Sequence, residues 1–325
     1  MRGHLSICIG ACLGTAVLAP AAPVTAQPYP TRQIELVVPF VAGGTTDSIA
    51  RLIGQRFTES WSQTVIVNNR PGAGSAIGTA AVAKAPPDGH TLLVTTFAFA
   101  VAPVLQKVSF DPIRDFAPIT EIASLPMMLV VHPSLPVNNI KEFIAYAKAN
   151  PKGLDYASSG PGTSTHLAGE MFKTMAGVNL VHVPFKGNAD VYNALLGGHI
   201  KVHFSLVPSA IQQVKAGKLR AIAVASDKRL PYLPDLPTIA ESGFPAYEIS
   251  SWQGIFAPGG TPKDVVVKLN SELLALLKTP AMRQRMATEG ADPIGSTPEE
   301  FAKRVAGEIA KWTKVAHASG LATTK

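Results

Sequence analysis

The 325-residue chain has little cysteine, little charge and few rings: two cysteines, 16% charged residues and 7% aromatics. Both cysteines, Cys8 and Cys12, sit near the start, so no disulfide framework or cysteine-based metal knuckle runs through the body of the chain. Globular chains ordinarily carry roughly 25% charged residues, and the shortfall excludes a disordered or coiled-coil protein. Hydrophobic residues make up 46%, enough for a large core. No segment beyond the N-terminus approaches the about 20 apolar residues of a membrane span. The sequence has no G-x-S-x-G elbow and no H-E-x-x-H, which removes two common hydrolase signatures. Fixed-period repeats, low-complexity stretches and a basic amphipathic membrane segment are missing as well. Lysines such as Lys84, Lys141, Lys152 and Lys186 are scattered with no basic-aromatic module, so nucleic acid is not an expected partner.

What is there begins with an address. Arg2 and His4 precede an apolar run, Leu5–Leu18, and small residues lead to Val24-Thr25-Ala26. This is the layout of a secretory signal peptide over residues 1–26, cleaved after Ala26. Pro20 and Pro23 close the run too early for an anchor. Cys12 lies inside the run with little apolar sequence before it, which disfavours a lipoprotein. Cleavage removes both cysteines and leaves 28 basic against 22 acidic side chains, a charge of +6. An exported chain of this size without disulfides relies on its core, as a periplasmic receptor or enzyme does.

Along the mature chain, short apolar runs alternate with helical patterns. Ile34–Val38 reads as a strand, followed by Ile49, Leu52, Ile53 and Phe57 at helical spacing. Thr64–Val67 and Thr91–Thr95 are further strands, with a helix near 77–84 between them, an order that implies a parallel sheet covered by helices. The pattern restarts at Met127–Val131 and runs through Asp155–Ser158, Leu180–Val183, Val202–Phe204 and Leu219–Val224. Gln253–Ala257 is a last strand, and three helical segments follow, the clearest carrying Phe301, Val305, Ile309 and Trp312. Two α/β lobes are expected, each a mainly parallel sheet flanked by helices. Lobe 1 comprises 27–124 plus 249–325 and lobe 2 comprises 125–248, with crossings near 120–127 and 245–252. The ligand cleft is expected between them, where strand ends face each other.

Two loops are equipped for an anion. The first, Pro39–Asp47, contains Phe40, Gly43, Gly44, Thr45, Thr46 and Asp47 between a strand and a helix. The second, Ser158–His166, contains Ser158, Gly162, Thr163 and Ser164 in the same position. Glycines allow close backbone approach, and the free amides of a helix start face a ligand. Plain turn-and-cap chemistry is the competing reading for either loop taken alone. A third stretch, Arg70–Gly78, departs from the dinucleotide fingerprint and reads instead as a helix start lining the same cleft. His199 and His203 have a metal-compatible spacing but fall on a strand pattern with no third ligand, so a surface or edge position is favoured. Asp47 and Glu170 are placed beside helix starts, where carboxylates serve the helix dipole. His166, at a helix start, suits a cap or ligand contact better than base catalysis.

An ordered series of motifs carries a more specific resemblance. Pro28-Tyr29-Pro30 leads into Ile34–Val38 and Pro39-Phe40 through Gly43-Gly44 to Asp47. Asn69-Arg70-Pro71-Gly72-Ala73-Gly74 and Pro87-Asp88-Gly89-His90-Thr91-Leu92-Leu93 follow. Gly162-Thr163-Ser164, His166-Leu167-Ala168-Gly169-Glu170, His182-Val183-Pro184-Phe185-Lys186-Gly187 and Ala257-Pro258 with Gly260-Thr261-Pro262 complete it. Over nearly the whole mature chain this series resembles the Bug-type periplasmic solute receptors of tripartite tricarboxylate transporters.

The resemblance implies a two-lobe, type II-like periplasmic binding protein that closes on a small carboxylate and hands it to membrane permease subunits. Presentation to a sensor kinase is a second output, and a periplasmic hydrolase or transferase of small acids a third reading. It further implies a binding site rather than a catalytic one, with no cofactor, no metal and a monomeric chain. Phe40, Gly43, Gly44, Thr45, Thr46 and Asp47 would form one wall, and Ser158, Gly162, Thr163 and Ser164 the other. Ser75 stands at the third helix start, and Thr96 and Ser205 at two places where the chain departs from its relatives. After the third strand it reads Thr95-Thr96-Phe97-Ala98-Phe99, whose two aromatics point to a smaller or more apolar pocket. Before the Pro208-Ser209-Ala210 turn it reads Phe204-Ser205-Leu206-Val207, without the acid or amide common there. An aliphatic or aromatic carboxylate is therefore expected rather than an amino acid.

Overall fold

The computed structural model describes residues 29–322 apart from Gly290. The expected signal peptide with its cleavage site after Ala26, and both cysteines, lie outside the described residues. In chain order the elements are β1 (Ile34–Val38), α1 (Thr45–Trp61), β2 (Val65–Asn69), α2 (Ala76–Ala83), β3 (Thr91–Thr96) and α3 (Ala98–Leu105). Next come β4 (Phe116–Val131), α4 (Ile140–Lys148), β5 (Leu154–Ser158), α5 (Ser164–Ala176), β6 (Leu180–Pro184), α6 (Asn188–Leu196) and β7 (Val202–Leu206). The chain ends with α7 (Val207–Lys215), β8 (Arg220–Val224), β9 (Ser250–Pro258), α8 (Lys263–Leu277), α9 (Pro280–Glu289), β10 (Asp292–Pro293) and α10 (Pro298–Ser319).

The strands run in the order β2-β1-β3-β9-β4-β7-β5-β6, with β8 and β10 both added on β4. The outer pairs of each half, β1 with β2 and β3, and β5 with β6 and β7, are parallel, as the strand-helix-strand alternation requires. Their inner neighbours are antiparallel, because β4 and β9 run through the middle of the molecule in opposite directions. The result is an α/β fold on a mixed sheet. One strand joins the halves: β4 pairs with β9 from Phe116 to Pro126 and with β7 from Met127 onward. Register shifts after Pro118 and Glu121 bend β4 just before that exchange of partners. On the return path Ile249 N donates to Ala225 O and Ser250 opens β9.

Both faces of the sheet are buried, and the strands accordingly read as apolar runs. On one face Phe99 stacks on Phe256 at 4.3 Å and meets Phe116 edge-on at 5.0 Å, with Phe301 4.9 Å from Phe256. α10 covers this cluster. Thr297 caps its start, with the reciprocal bond from Glu300 that the Thr-x-x-Glu spacing predicts. Its buried face, Phe301, Val305, Trp312 and Ala316, continues toward Phe97, whose ring meets Trp312 edge-on at 5.3 Å. Among the described residues no helix is long and apolar enough to cross a membrane.

Candidate functional site

A cavity of about 520 Å³ opens between the two halves of the sheet. One wall is α3 with the residues leading into it: Thr96, Phe97, Ala98, Val101, Ala102, Leu105 and Gln106. Phe40, Ala73, Gly74 and Ser251 add to that side, and Ser159, Pro161, Gly162, Thr163 and Ser164 of the β5–α5 loop form the other. No lining residue carries a charge.

The β5–α5 loop is held by its own side chains. Thr163 caps α5, accepting from His166 N while its hydroxyl donates to Gly160 O at 2.7 Å. Thr165 Oγ1 accepts from Ser159 N at 3.0 Å and lies 2.9 Å from Thr163 Oγ1. Gly162 N donates to His166 Nδ1 at 3.1 Å, so that nitrogen carries no proton. Burial, reinforced by His182 and Lys173, pushes His166 down to about 4 and keeps the ring neutral. His182 stacks on it at 3.9 Å. Ser164 is not drawn into this network and stands at the first turn of α5, where the helix dipole favours an anion.

The β1–α1 loop is built differently. Gly44 caps α1 without a side-chain bond, and Gly43 adopts φ +87°. The Asp47 carboxylate, 3% exposed, accepts from Gly43 N at 2.9 Å, Arg51 Nε at 3.0 Å and Asn69 Nδ2 at 3.0 Å. Burial raises this carboxyl, but the bonds from Arg51, Gly43 and Asn69 outweigh it and hold Asp47 below its ordinary value. Asn69 also donates to Phe40 O at 3.2 Å, tying the start of the loop to the same brace.

Of the residues expected from sequence, Phe40, Thr96, Gly162, Thr163 and Ser164 line the cavity together. Gly43, Gly44, Thr45, Thr46 and Asp47 do not line it; the two glycines face solvent, and Thr46 and Asp47 are buried in the first turn of α1. Ser75 is 2% exposed behind the lining Gly74, and its hydroxyl has no hydrogen-bond partner among the described residues. Ser205 is buried on β7 with its hydroxyl 2.7 Å from Tyr192 OH. Ser158 has no exposed surface, and its Oγ is 2.5 Å from His182 Nε2. Neither residue of that hydroxyl–imidazole pair is among the residues lining the cavity.

Three other expectations change. Glu170 lies in the middle of α5, not at its start; it accepts from Tyr156 OH at 2.8 Å and pairs with Lys173 at 3.4 Å. His203 is buried on the interior strand β7, with Nδ1 2.9 Å from Ala157 O, while His199 is exposed beyond α6. The two do not share a face, and the described residues contain no cluster of three metal-ligating side chains. Of the two aromatics after β3, Phe97 borders the cavity, whereas Phe99 points into the core. α3 itself was not legible. Ala98–Leu105 is apolar almost all round and contains Pro103, so it shows neither a polar face nor a start signal. Ser251 gave no sequence signal, since only the pairing of β9 with β3 and β4 brings it to the site.

The family model for the tripartite tricarboxylate transporter family receptor matches residues 49–321. The protein BugT of Bordetella pertussis is 34% identical over 315 residues, covering 96% of each chain. Among solved structures, Rpa4515 of R. palustris, determined with adipate, is 40% identical with a TM-score of 0.77, covering 90% of this chain and 99% of its own. MatC of Rhodopseudomonas palustris, with bound malate, is 31% identical with a TM-score of 0.72, covering 88% and 99%.

Proposed function

This chain belongs to the tripartite tricarboxylate transporter receptor family, whose members are binding proteins, and from that premise we propose that it captures a small aliphatic or aromatic carboxylate in the periplasm. The observation that carries the reading is the make-up of the cavity wall: an apolar helix face on one side, a hydroxyl- and amide-rich helix start on the other, and no charge on either. A carboxylate taken from water into such a site exchanges its hydration for hydrogen bonds, each contributing roughly 1.5–3 kcal/mol when the acceptor is charged. The positive end of the α5 dipole adds to this. An ammonium group finds no carboxylate among the lining residues, which disfavours amino acids. The adipate and malate in the related structures fit the same class.

Residues 27–124 with 249–325 and residues 125–248 act as two lobes that close by bending where β4 exchanges partners. Phe40, Thr96, Gly162, Thr163 and Ser164 contact the ligand, Ser75 Oγ turns to it or to a bridging water, and the Asp47 loop shapes the rim. The closed form is then recognised by membrane permease subunits, which bind the two lobes in one fixed relation.

A panel of aliphatic, aromatic and amino acids tests this by thermal unfolding and calorimetry. The expected result is a midpoint that rises with the concentration of a plain carboxylate, which is recovered unchanged. Ser164→Ala lowers its affinity roughly tenfold, about 1.4 kcal/mol for a lost hydrogen bond to a charged group. Turnover of an acid, or a panel in which amino acids bind and plain acids do not, sinks the reading.

A further inference from the structure

We propose that Leu105 sets the length of ligand the cavity accepts. α3 presents Ala98, Val101, Ala102 and Leu105 to the cavity, residues at i, i+3, i+4 and i+7 and hence on one face of the helix. At 1.5 Å rise per residue this face is about 10 Å long. Its first three side chains are small, so the stripe is shallow until Leu105. There the walls meet: a methyl added at Gly162, in the opposite loop, would stand 3.2 Å from Leu105 Cδ1. The neighbouring Gln106 has its side-chain amide donated to Ala73 O at 2.7 Å, which fixes this end of the wall. The Thr96 hydroxyl at the other end accepts from Ala98 N at 3.2 Å and holds the start of α3. An apolar body lying along the stripe therefore runs between a fixed helix start and the Leu105 side chain. Leu105 is the movable boundary, because it is half-buried and its isobutyl group makes no polar bond.

The inference rests on the carboxylate-receptor reading and adds the residue that discriminates within that class. The test is calorimetric titration of straight-chain dicarboxylates lengthened one methylene at a time, against wild type, Leu105→Ala and Leu105→Phe, with a thermal midpoint for each protein. The expected result is a best-bound length that grows in Leu105→Ala and shrinks in Leu105→Phe. Each methylene gained or lost changes relative affinity about fourfold, the worth of roughly 0.8 kcal/mol per buried CH₂. Leu105→Val, a smaller trim, replaces the alanine variant if that one unfolds. A best-bound length that stays with wild type in folded variants overturns the role of Leu105 and leaves the receptor reading standing. A wild type that binds no straight-chain acid overturns it too, and the wider acid panel then decides whether the receptor reading falls with it.

Discussion

The β1–α1 and β5–α5 loops look alike in sequence, each a glycine- and hydroxyl-rich link from a strand end to a helix start, yet the structure uses them in opposite ways. The first is braced from outside by a buried carboxylate that gathers Gly43, Arg51 and Asn69, and it contributes only Phe40 to the cavity. The second is braced from within by hydroxyls and a neutral imidazole, and five of its residues line the cavity. The charged brace stands outside the cavity lining. A neutral brace leaves the ligand's own charge unopposed and lets small changes in the loop reach the cavity. Glycine spacing announces a turn, while the partner of the nearest polar side chain decides what the turn is for.

Removing the first brace should have the largest effect. Asp47→Ala strips the acceptor from a backbone amide and a side-chain amide and leaves Arg51 only its 3.3 Å bond to Asn69 Oδ1, at an expected cost of about 2–3 kcal/mol in urea unfolding at neutral pH. Because the Asp47 carboxyl is held below its ordinary 3.8, its contribution is complete above that value and fades as the pH falls through the lower, folded value. The cost of the substitution should therefore shrink in acid. Affinity for the ligand in the folded fraction should change less than about threefold, under 0.7 kcal/mol. A large loss of affinity with little loss of stability would instead place the carboxylate in the site.

A second separation comes from pH. His166 is neutral in the fold and held down to about 4, against 6.5 for a free imidazole, so the unfolded chain binds its proton first. Stability from this group is complete above about pH 6.5 and declines as the pH falls toward 4, by up to about 1.4 kcal/mol per pH unit. His203, likewise buried and pushed down to about 4, adds a second contribution of the same sign. Glu121 opposes both: burial pushes it up to about 7, against the pull of Arg304, so it takes up a proton more readily in the fold. The difference between wild type and His166→Gln isolates the loop. Unfolding midpoints measured from pH 7 to pH 4.5 should fall less steeply in the variant, by about one proton. Parallel profiles would show that His166 does not hold the loop through its neutral form.

Much of this was legible in the sequence, for reasons that differ by element. The apolar runs of β1, β3 and β7 follow from burial between helices, and Phe301, Val305, Ile309 and Trp312 mark α10 by their helical spacing. Both loops were visible because each lies between a strand and a helix. Their roles were not. The distinction rests on Asn69 reaching Asp47 across 22 positions, and on His182 stacking on His166 from a neighbouring strand. α3 was missed for a physical reason as well. A helix with core on one side and an apolar cavity on the other has no polar stripe to show. The missing amphipathic signal is itself the trace of the site.

The finest test uses two glycines in matching backbone states. Gly43 has φ +87° with nothing within 4 Å of an added Cβ, and Gly162 has φ +76° with Leu105 3.2 Å away. An alanine at either position is strained in the left-handed region by about 1 kcal/mol. Stability should therefore fall by a similar small amount in Gly43→Ala and Gly162→Ala. Only the second methyl stands against the opposite wall of the cavity, where Leu105 must give way by a few tenths of an ångström. Calorimetry on the two variants should show wild-type affinity for the first and a weakened, length-altered preference for the second. Equal effects on binding would mean that the first loop reaches the ligand after all and that the two loops are equivalent walls. Such a result would replace the contrast between a charged outer brace and a neutral inner one with a symmetric clamp.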